Sequence, residues 1–195
     1  MTGQPKPIVV GVTGASGAVL ARRCVEILIA IGECPIVVCT DAGAEVWKQE
    51  IGGAIDQWAA SIGATVVDIR DVSASIASGT YETKGMIVVP CSMGTAAALA
   101  HGLSTNLLQR AADVTLKEGR PLVVVPRESP LSVIHLTNLL TLAKAGVRIV
   151  PPMLAFYNRP ETVGDIVDFV ASRALGALGI ATGLGARYRY RGDSD

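Results

Sequence analysis

The sequence is poor in aromatic side chains, which make up only 4% of its 195 residues, and it has no excess of charge of either sign. Its 17 basic residues are balanced by 17 acidic ones. Proteins that bind nucleic acids usually carry a basic face, so this class is disfavoured. Because half of the residues are apolar, the core must consist mainly of Val, Ile, Leu and Ala, as in an ordered α/β protein.

The cysteines also lack the spacing of a metal or disulfide framework. None of the four forms a C-x-x-C pair, and we expect them to be reduced and mostly buried: Cys24, Cys34, Cys39 and Cys91. Motifs such as H-E-x-x-H and clusters of Asp and Glu are missing as well, so we expect no metal site.

Long hydrophobic runs are the third absence. No apolar segment reaches the roughly 18 residues that a membrane-spanning helix needs. The first residues, MTGQPKP, lack the basic start and apolar stretch of a secretory signal. We therefore expect a cytoplasmic protein without membrane contact. Its mean hydropathy of +0.44 is nevertheless high for a monomer of this size, which predicts a subunit interface.

What the sequence does contain is an alternation of short β-branched runs with longer segments of helical period. The predicted strands cover residues 7–12, 35–39, 65–69, 86–90, 122–126 and 147–151. A first helix has apolar positions at Val19, Leu20, Cys24, Ile27 and Leu28, and further helices cover 41–50, 54–62, 92–100, 105–118, 131–144 and 162–178. Residues 71–85 read as a loop. This order predicts one three-layer domain with a doubly wound parallel sheet, flavodoxin-like or Rossmann-like. Its core is 8–180 and its tail 181–195.

Ligands of such sheets bind beyond the carboxyl ends of the strands. The first strand leads into GVTGASGA (Gly11–Ala18), whose small residues and following helix suit a phosphate. A tight turn without a ligand is the alternative. The segment lacks the Gly-Lys-Ser/Thr of a Walker A loop and fits a dinucleotide fingerprint poorly, with Asp41 as the only candidate for a ribose contact.

Three further strand ends carry polar groups. Pro90–Thr95 (PCSMGT) repeats the pattern of hydroxyls and a glycine at a helix start, and we interpret Cys91 as a buried small residue rather than a nucleophile. Val125–Pro130 places an arginine fork beside an acid that could move a proton, or else an exposed ion pair. Pro151–Tyr157 forms an apolar wall for a hydrophobic substrate, or packs into the core. His101 and His135 are interpreted as structural.

Three segments together resemble the flavin prenyltransferase family of the UbiX/Pad type, over about residues 8–180. They are GVTGASGA, the stretch from PCSMGT through RAADVTLKEGRPLVVVPRESP to LAKAG, and PPMLAFYNRPETVGDIVDFV. The combination of RAADVTLKE with VPRESP is the specific part of the resemblance.

The resemblance implies a flavodoxin-like fold, an assembly of twelve identical subunits with sites at trimer contacts, and a reaction without a metal. Reduced FMN, as a substrate, would be alkylated at N5 by dimethylallyl phosphate. C6 would then close a fourth ring to give prenylated FMN, which would serve a UbiD-type decarboxylase. Whether the donor is a monophosphate or a diphosphate stays open.

Family roles carry over to individual positions. FMN would be held by a phosphate-side loop, a second turn and an arginine: Gly14, Ala15, Ser16 and Thr40, then Ser92, Met93, Gly94 and Thr95, and Arg127. Dimethylallyl phosphate would be held by Tyr157, Arg173 and Lys117. Glu128 matches the acid/base residue and Glu50 a carboxylate supplied by a neighbouring subunit, while Ser16 and Lys117 would also take part in catalysis.

The sequence departs from the family pattern at three places. Thr40 replaces the usual Ser, the region before Asp71 is short, and Tyr188 stands where a member can place a Trp over the substrate.

Two rival functions remain. An FMN-dependent cysteine decarboxylase needs a histidine after an early strand and an Asn-containing turn, whereas PPMLAFYN has no Asn directly after Met153. A non-catalytic flavin carrier would leave Glu128, Lys117 and Arg173 without a reason to occur together.

Overall fold

The computed structural model describes residues 6–184 and contains six strands in them. They are β1 (Ile8–Val12), β2 (Pro35–Cys39), β3 (Thr65–Val67), β4 (Gly85–Cys91), β5 (Leu122–Pro126) and β6 (Arg148–Ile149). They form one sheet in the order β3-β2-β1-β4-β5-β6, and every pair is parallel. The central strands are buried along their whole length, because helices cover both faces of the sheet.

Seven helices are described: α1 (Ala18–Ala30), α2 (Asp41–Glu50), α3 (Ile55–Ser61), α4 (Met93–Ala100), α5 (Leu107–Lys117), α6 (Val133–Lys144) and α7 (Val163–Leu178). One hydrophobic cluster joins α1, α2, α3 and α7 to one face of the sheet. A second joins α4, α5 and α6 to the other. The predicted three-layer, doubly wound fold is therefore confirmed.

Hydroxyl and amide side chains set where several helices begin. Thr40, Ser92 and Asn106 each accept a hydrogen bond from a backbone N–H in the first turn of the helix that follows, which satisfies one of the free donors there. Ser132 and Thr162 do the same for α6 and α7.

Three local predictions differ from the structure. Val19 was placed on the apolar face of the first helix but is 40% exposed. The predicted loop 71–85 contains a 3-10 turn at Ser75–Ala77, which buries Ile76 under α5, and its last residue begins β4. The two border strands are shorter than predicted: β3 ends at Val67 instead of residue 69, and β6 pairs with β5 at two residues only.

The strand order places the topological switch point between β1 and β4. The chain moves outward from β1 to β3 and then crosses back to β4 on the other side of β1. At such a point the connections after two adjacent strands lead to opposite faces of the sheet, which opens a crevice at the carboxyl edge. The fold therefore directs the search for a ligand to the residues after β1 and β4. Within residues 6–184, none of the helices has the length and hydrophobicity that a bilayer crossing requires.

Candidate functional site

A cradle lies at the switch point and consists of the β1–α1 turn, residues 13–17, and the start of α4, residues 92–95. Thr13 connects its two halves: its Oγ1 donates to the carbonyl of Pro90 at 2.8 Å and accepts the N–H of Ser92 at 2.8 Å. Ser16 and Gly94 are exposed at this edge. The prediction that these two turns lie together is thus confirmed.

Glu50, the last residue of α2, occupies the amino end of α1. Its Oε2 accepts the N–H of Gly17 at 3.0 Å and that of Ala18 at 2.8 Å. Gly17 has a φ of 119°, a conformation that glycine adopts without strain. Within one chain Glu50 reaches this turn itself, so this contact does not need a carboxylate from a neighbouring subunit.

The same contact leaves fewer free donors at the expected phosphate site. The sequence predicts that the first N–H groups of α1 bind the phosphate of a ligand, but Glu50 already accepts two of them. A phosphate there would have to displace a carboxylate of the protein's own chain. Gly14, Ala15 and Ser16 therefore border the cradle without offering it the amino end of α1.

Opposing influences set the pKa of Glu50. Partial burial acts to raise it, while hydrogen bonds from Ser16, Gly17 and Ala18 and the charge of Arg127 act to lower it. Together they hold the pKa of Glu50 below its ordinary value. The carboxylate is therefore a stable negative charge at this edge of the cradle.

Arg127 and Glu128 follow β5 and face different partners. Arg127 extends across the edge of the sheet, where its Nε donates to the carbonyl of Ser16 at 3.2 Å. The carboxylate of Glu128 accepts the N–H of Ser129 at 2.9 Å and is exposed. The structure therefore does not show the alternative prediction, an exposed ion pair between these two side chains. Arg127 closes the cradle on its β5 side, and Glu128 stands beside it with an accessible carboxylate.

The start of α4 leaves room for a planar ligand. Ser92 Oγ donates to Thr95 Oγ1 at 3.0 Å and accepts its N–H at 3.3 Å, which fixes both hydroxyls at the rim. A methyl group added at Gly94 would meet no atom within 4 Å. Met93 is buried beneath the turn. These features fit FMN, whose ring needs close approach to backbone and whose polar edges need donors.

Thr40 lies at one end of a cavity of about 380 Å³ between the start of α2 and the start of α5. The cavity is also lined by Arg70, Thr105 and Asn106. Arg70 forms an ion pair with Asp41 at 3.2 Å in which both side chains are more than three-quarters exposed. Such a pair contributes little to stability, so an anionic ligand can compete for the guanidinium. Asp41, the only candidate for a ribose contact, is the acidic partner of Arg70 in this ion pair.

Tyr157 and Arg173 share a different feature, an open groove of about 1070 Å³ beside β6 and α7. The apolar residues Met153 and Leu154 line it too, so the predicted apolar wall is exposed and does not pack into the core. Among the described residues, the lining of this groove does not include Ser16, Arg127 or Glu128. Within one chain, the two residues expected to hold the donor therefore line a groove that is formed by other residues than the cradle.

Lys117 is farther still from the cradle of its own chain. It is the last residue of α5, shortly before β5 begins at Leu122, and so it lies at the amino edge of the sheet. Its Nζ forms a close ion pair with Glu118, which together with Arg120 lowers the pKa of that carboxyl. The expectation that Lys117 joins Tyr157 and Arg173 at one site is not met within a single chain, because α5 carries it to the opposite edge.

Gly14 is also required by the packing of α2. A methyl group at this position would come within 2.6 Å of the Ala42 side chain, so the glycine permits α2 to pack against the β1–α1 turn. From the sequence, this glycine was predicted only to permit close approach of a ligand.

Two of the cysteines are buried and unreactive. Burial raises the pKa of the Cys24 and Cys91 thiols to about 12, which keeps both protonated at neutral pH. The interpretation of Cys91 as a buried small residue is confirmed, whereas Cys34 is exposed. In the described part of the chain, no group of three or more His, Cys, Asp or Glu is arranged to bind a metal. Tyr188 lies outside the described residues.

Two residues near the site had no role predicted from the sequence. Thr13 was part of the glycine-rich motif, but a contact with Pro90, 77 positions away, leaves no local signal. Arg70 follows the weak third strand. Ligand-binding residues of such sheets follow the carboxyl ends of the strands, and this rule points to Arg70 when it is extended to the weak strand β3.

Comparison with known proteins gives the class and family of this chain. The family model described as Flavoprotein matches residues 2–175, which defines the class as an α/β flavoprotein. Flavin prenyltransferase UbiX from Synechocystis sp. is 47% identical over 189 residues, which cover 90% of this chain and 92% of the relative. The chain belongs to the flavin prenyltransferase family, as the resemblance implied.

Two solved structures share both fold and sequence. A dodecameric FMN-dependent UbiX-like decarboxylase from Escherichia coli O157:H7 has a TM-score of 0.90 and 42% identity, covering 95% of this chain and all of that one (100%). AnUbiX (PadA1), solved in complex with FMN and dimethylallyl pyrophosphate, has a TM-score of 0.91 and 36% identity, covering 98% of this chain and 100% of its own.

Proposed function

We propose that this protein is a metal-independent flavin prenyltransferase that transfers a dimethylallyl group from dimethylallyl phosphate to reduced FMN and releases prenylated FMN. The observation that carries the proposal is the cradle at the switch point, with an open surface at Gly94, the guanidinium of Arg127 and the accessible carboxylate of Glu128 beside it. Relatives that carry this activity in their names match over nine-tenths of the chain.

We propose that the flavin ring lies between Ser16, Gly94 and Arg127 and that the FMN phosphate points toward Thr40. Two observations support this orientation. The negative charge of Glu50 at α1 disfavours a phosphate at that end, whereas the cavity beyond Thr40 offers hydroxyls and the guanidinium of Arg70. Arg and hydroxyl donors together suit a phosphate dianion.

The chemistry then divides among the chain's own residues. When bound, reduced FMN supplies the nucleophilic N5 and C6 atoms. N5 loses its proton and bonds to the first carbon of the dimethylallyl group as the carbon–oxygen bond to the phosphate breaks. C6 then bonds to the tertiary carbon at the other end of the group as the carbon–carbon double bond is consumed; the middle carbon gains a proton and C6 loses one. Glu128 can accept a proton near N5, and the cationic and phenolic groups of Arg173, Lys117 and Tyr157 can stabilise the departing phosphate.

A complete site requires more than one copy of the chain. The Tyr157–Arg173 groove and the Lys117 end of α5 are both separate from the cradle, so we propose that neighbouring subunits bring them to it. Helix α6 supports association, because Val133, Ile134, Leu136 and Leu140 are all more than half exposed. The E. coli structure is dodecameric, and we propose the same assembly, with sites at trimer contacts.

We propose that the product passes to a UbiD-type decarboxylase. Gly94, Arg127 and Glu128 are exposed, so the flavin site is shallow in one chain and can release its product. A modified flavin formed as a product, rather than kept as a cofactor, must be used by another enzyme.

The test is anaerobic incubation of the purified protein with reduced FMN and either dimethylallyl phosphate or dimethylallyl pyrophosphate, followed by mass spectrometry of the flavin. We expect a flavin that has gained one dimethylallyl group, and the better donor is identified by its rate. FMN that binds but leaves with unchanged mass would indicate a flavin carrier. Release of carbon dioxide from a peptide with a terminal cysteine would indicate a decarboxylase instead.

A further inference from the structure

Thr13 is a buried hydroxyl at the switch point, and its role lies outside the binding and catalytic assignments above. It is 1% exposed, directly follows β1 and precedes Gly14. Its Oγ1 has two partners on β4 and the turn after it, the carbonyl of Pro90 and the N–H of Ser92, each at 2.8 Å. A threonine hydroxyl can donate one hydrogen bond and accept others, so both contacts form at once.

The backbone of β4 cannot make these contacts by regular pairing. The paired residues of β1 and β4 end at Gly11 and Val88, and the pairing of β4 with β5 is irregular between Val88 and Cys91. Pro90 and Ser92 therefore follow the last β1–β4 pair, at the carboxyl edge, where β1 has already turned toward α1. The side chain of Thr13 takes the place of the missing ladder. A buried backbone group left without a partner costs free energy comparable to a lost hydrogen bond.

The position of Ser92 matters because Ser92 organises the second half of the cradle. It is the residue before α4, and its hydroxyl holds Thr95 through two hydrogen bonds. Thr13 therefore joins the Gly14–Ser16 turn on one side of the crevice to the Ser92–Thr95 turn on the other. The two 2.8 Å contacts tie these turns to each other across the crevice.

We propose that Thr13 is a positioning residue that sets the spacing of the two turns around the flavin and thereby the affinity for FMN and the rate of prenylation. The proposal rests on the proposed function for the identity of the ligand. Valine has nearly the shape of threonine, so Thr13→Val keeps the packing but leaves the Pro90 carbonyl and the Ser92 N–H without their partner. Thr13→Ser keeps the hydroxyl and loses one methyl group.

The experiment compares four proteins: the wild type, Thr13→Val, Thr13→Ser and a control, Thr115→Val. Thr115 is also buried, at 2% exposure, and its hydroxyl donates to the Ala111 carbonyl inside α5, away from the cradle. For each protein, the FMN dissociation constant is measured by flavin fluorescence, together with kcat, KM for dimethylallyl phosphate and the thermal midpoint.

We expect Thr13→Val to raise the FMN dissociation constant about tenfold or more, consistent with the loss of buried hydrogen bonds, and to lower kcat even at saturating FMN. Thr13→Ser should bind FMN within about twofold of the wild type. The control should lower the thermal midpoint and leave FMN affinity unchanged.

A Thr13→Val protein that loses thermal stability like the control but binds FMN and turns over like the wild type would overturn the positioning role. If Thr13→Val does not fold, Thr13→Ala is measured instead, and failure of both would assign the hydroxyl to stability alone and also overturn the proposal. A failure of the proposed function can be told apart from a failure of this proposal. If the wild type binds FMN but does not prenylate it, the proposed function is wrong, and the FMN affinities of the variants still test the role of Thr13.

Discussion

The carboxylate of Glu50 accepts the backbone N–H of Ala18 at 2.8 Å, although 32 positions separate the two residues along the chain. Glu50 ends α2 and Ala18 begins α1, so this contact fixes two helices at the entrance of the cradle. A carboxylate at the amino end of a helix is stabilised by the free N–H groups and by the helix dipole. Glu50 therefore acts as an external cap for a helix whose own N-cap residue, Gly17, has no side chain.

Replacing Glu50 with Gln is expected to lower the free energy of unfolding by about 0.5–1 kcal/mol, the lower part of the range for helix caps, because the site is partly exposed. Urea denaturation at neutral pH measures this value. Glu45→Gln, on the exposed face of the same helix, is the matched control and should change stability by less than half as much. Equal effects of the two substitutions would mean that the cap contributes nothing specific.

The stabilisation by Glu50 should depend on pH with a defined sign. The folded-state pKa of Glu50 lies below its ordinary value, so its contribution is complete above the unfolded-state pKa and is lost as the pH falls through the folded-state pKa. The stability difference between the wild type and Glu50→Gln should therefore be full at neutral pH and shrink in acid. A difference that stays constant down to the acid range would contradict a role for the charge.

Gly94 and Gly14 should respond to alanine in opposite ways. Gly94→Ala meets no atom within 4 Å, and alanine favours a helix by up to about 1 kcal/mol over glycine, so stability should be kept or raised. FMN binding should nevertheless weaken about tenfold, because the methyl group enters the flavin space. Gly14→Ala brings a methyl group within 2.6 Å of Ala42, which should cost about 1–3 kcal/mol of stability. Wild-type FMN affinity in Gly94→Ala would remove this turn from the flavin site.

The orientation of FMN can be tested with two flavins. Arg70→Ala should raise the dissociation constant of FMN about tenfold while leaving that of riboflavin unchanged, because only FMN carries the phosphate. Fluorescence titration with both flavins gives the comparison. Arg22→Ala, which removes an exposed cation on α1, controls for net charge. A parallel loss of affinity for FMN and riboflavin would place the phosphate elsewhere.

Glu128→Gln is expected to bind FMN like the wild type and to prenylate it about a hundredfold more slowly or worse, the effect typical of removing a general acid or base. Stopped-flow absorbance under anaerobic conditions follows the reduced flavin directly. Loss of FMN binding would show instead that Glu128 serves the structure of the β5 turn.

If each site is shared between subunits, two variants that are inactive alone should complement each other in mixed oligomers. Lys117→Ala and Glu128→Gln should each be nearly inactive alone, yet oligomers formed by unfolding and refolding an equal mixture should regain about a quarter of the wild-type activity. This follows because about a quarter of sites then combine an intact Glu128 with an intact Lys117 from a neighbour. No recovery in mixed oligomers of wild-type size would mean that both residues act within one chain's site.

The strands and most helix starts could be predicted from the sequence because their signals are local. Val-rich runs between helices indicate buried parallel strands, and Ser92 and Thr40 are hydroxyl residues at helix starts. The contacts that complete the site could not be predicted in this way. Glu50 reaches Ala18 and Thr13 reaches Pro90 only after the sheet has brought distant segments together. Lys117 was assigned by resemblance, which reports that a residue takes part but not which copy of the chain provides it.

The sheet is bordered by its two shortest strands: β3 has three residues and β6 has two. A long open edge presents a row of unpaired N–H and C=O groups that can recruit strands from other molecules. Here the row of unpaired groups is nearly absent at both edges of the sheet. Many copies can therefore be concentrated without their sheets joining edge to edge. For a protein whose proposed site requires neighbours, the short borders favour ordered association through helices over aggregation through strands.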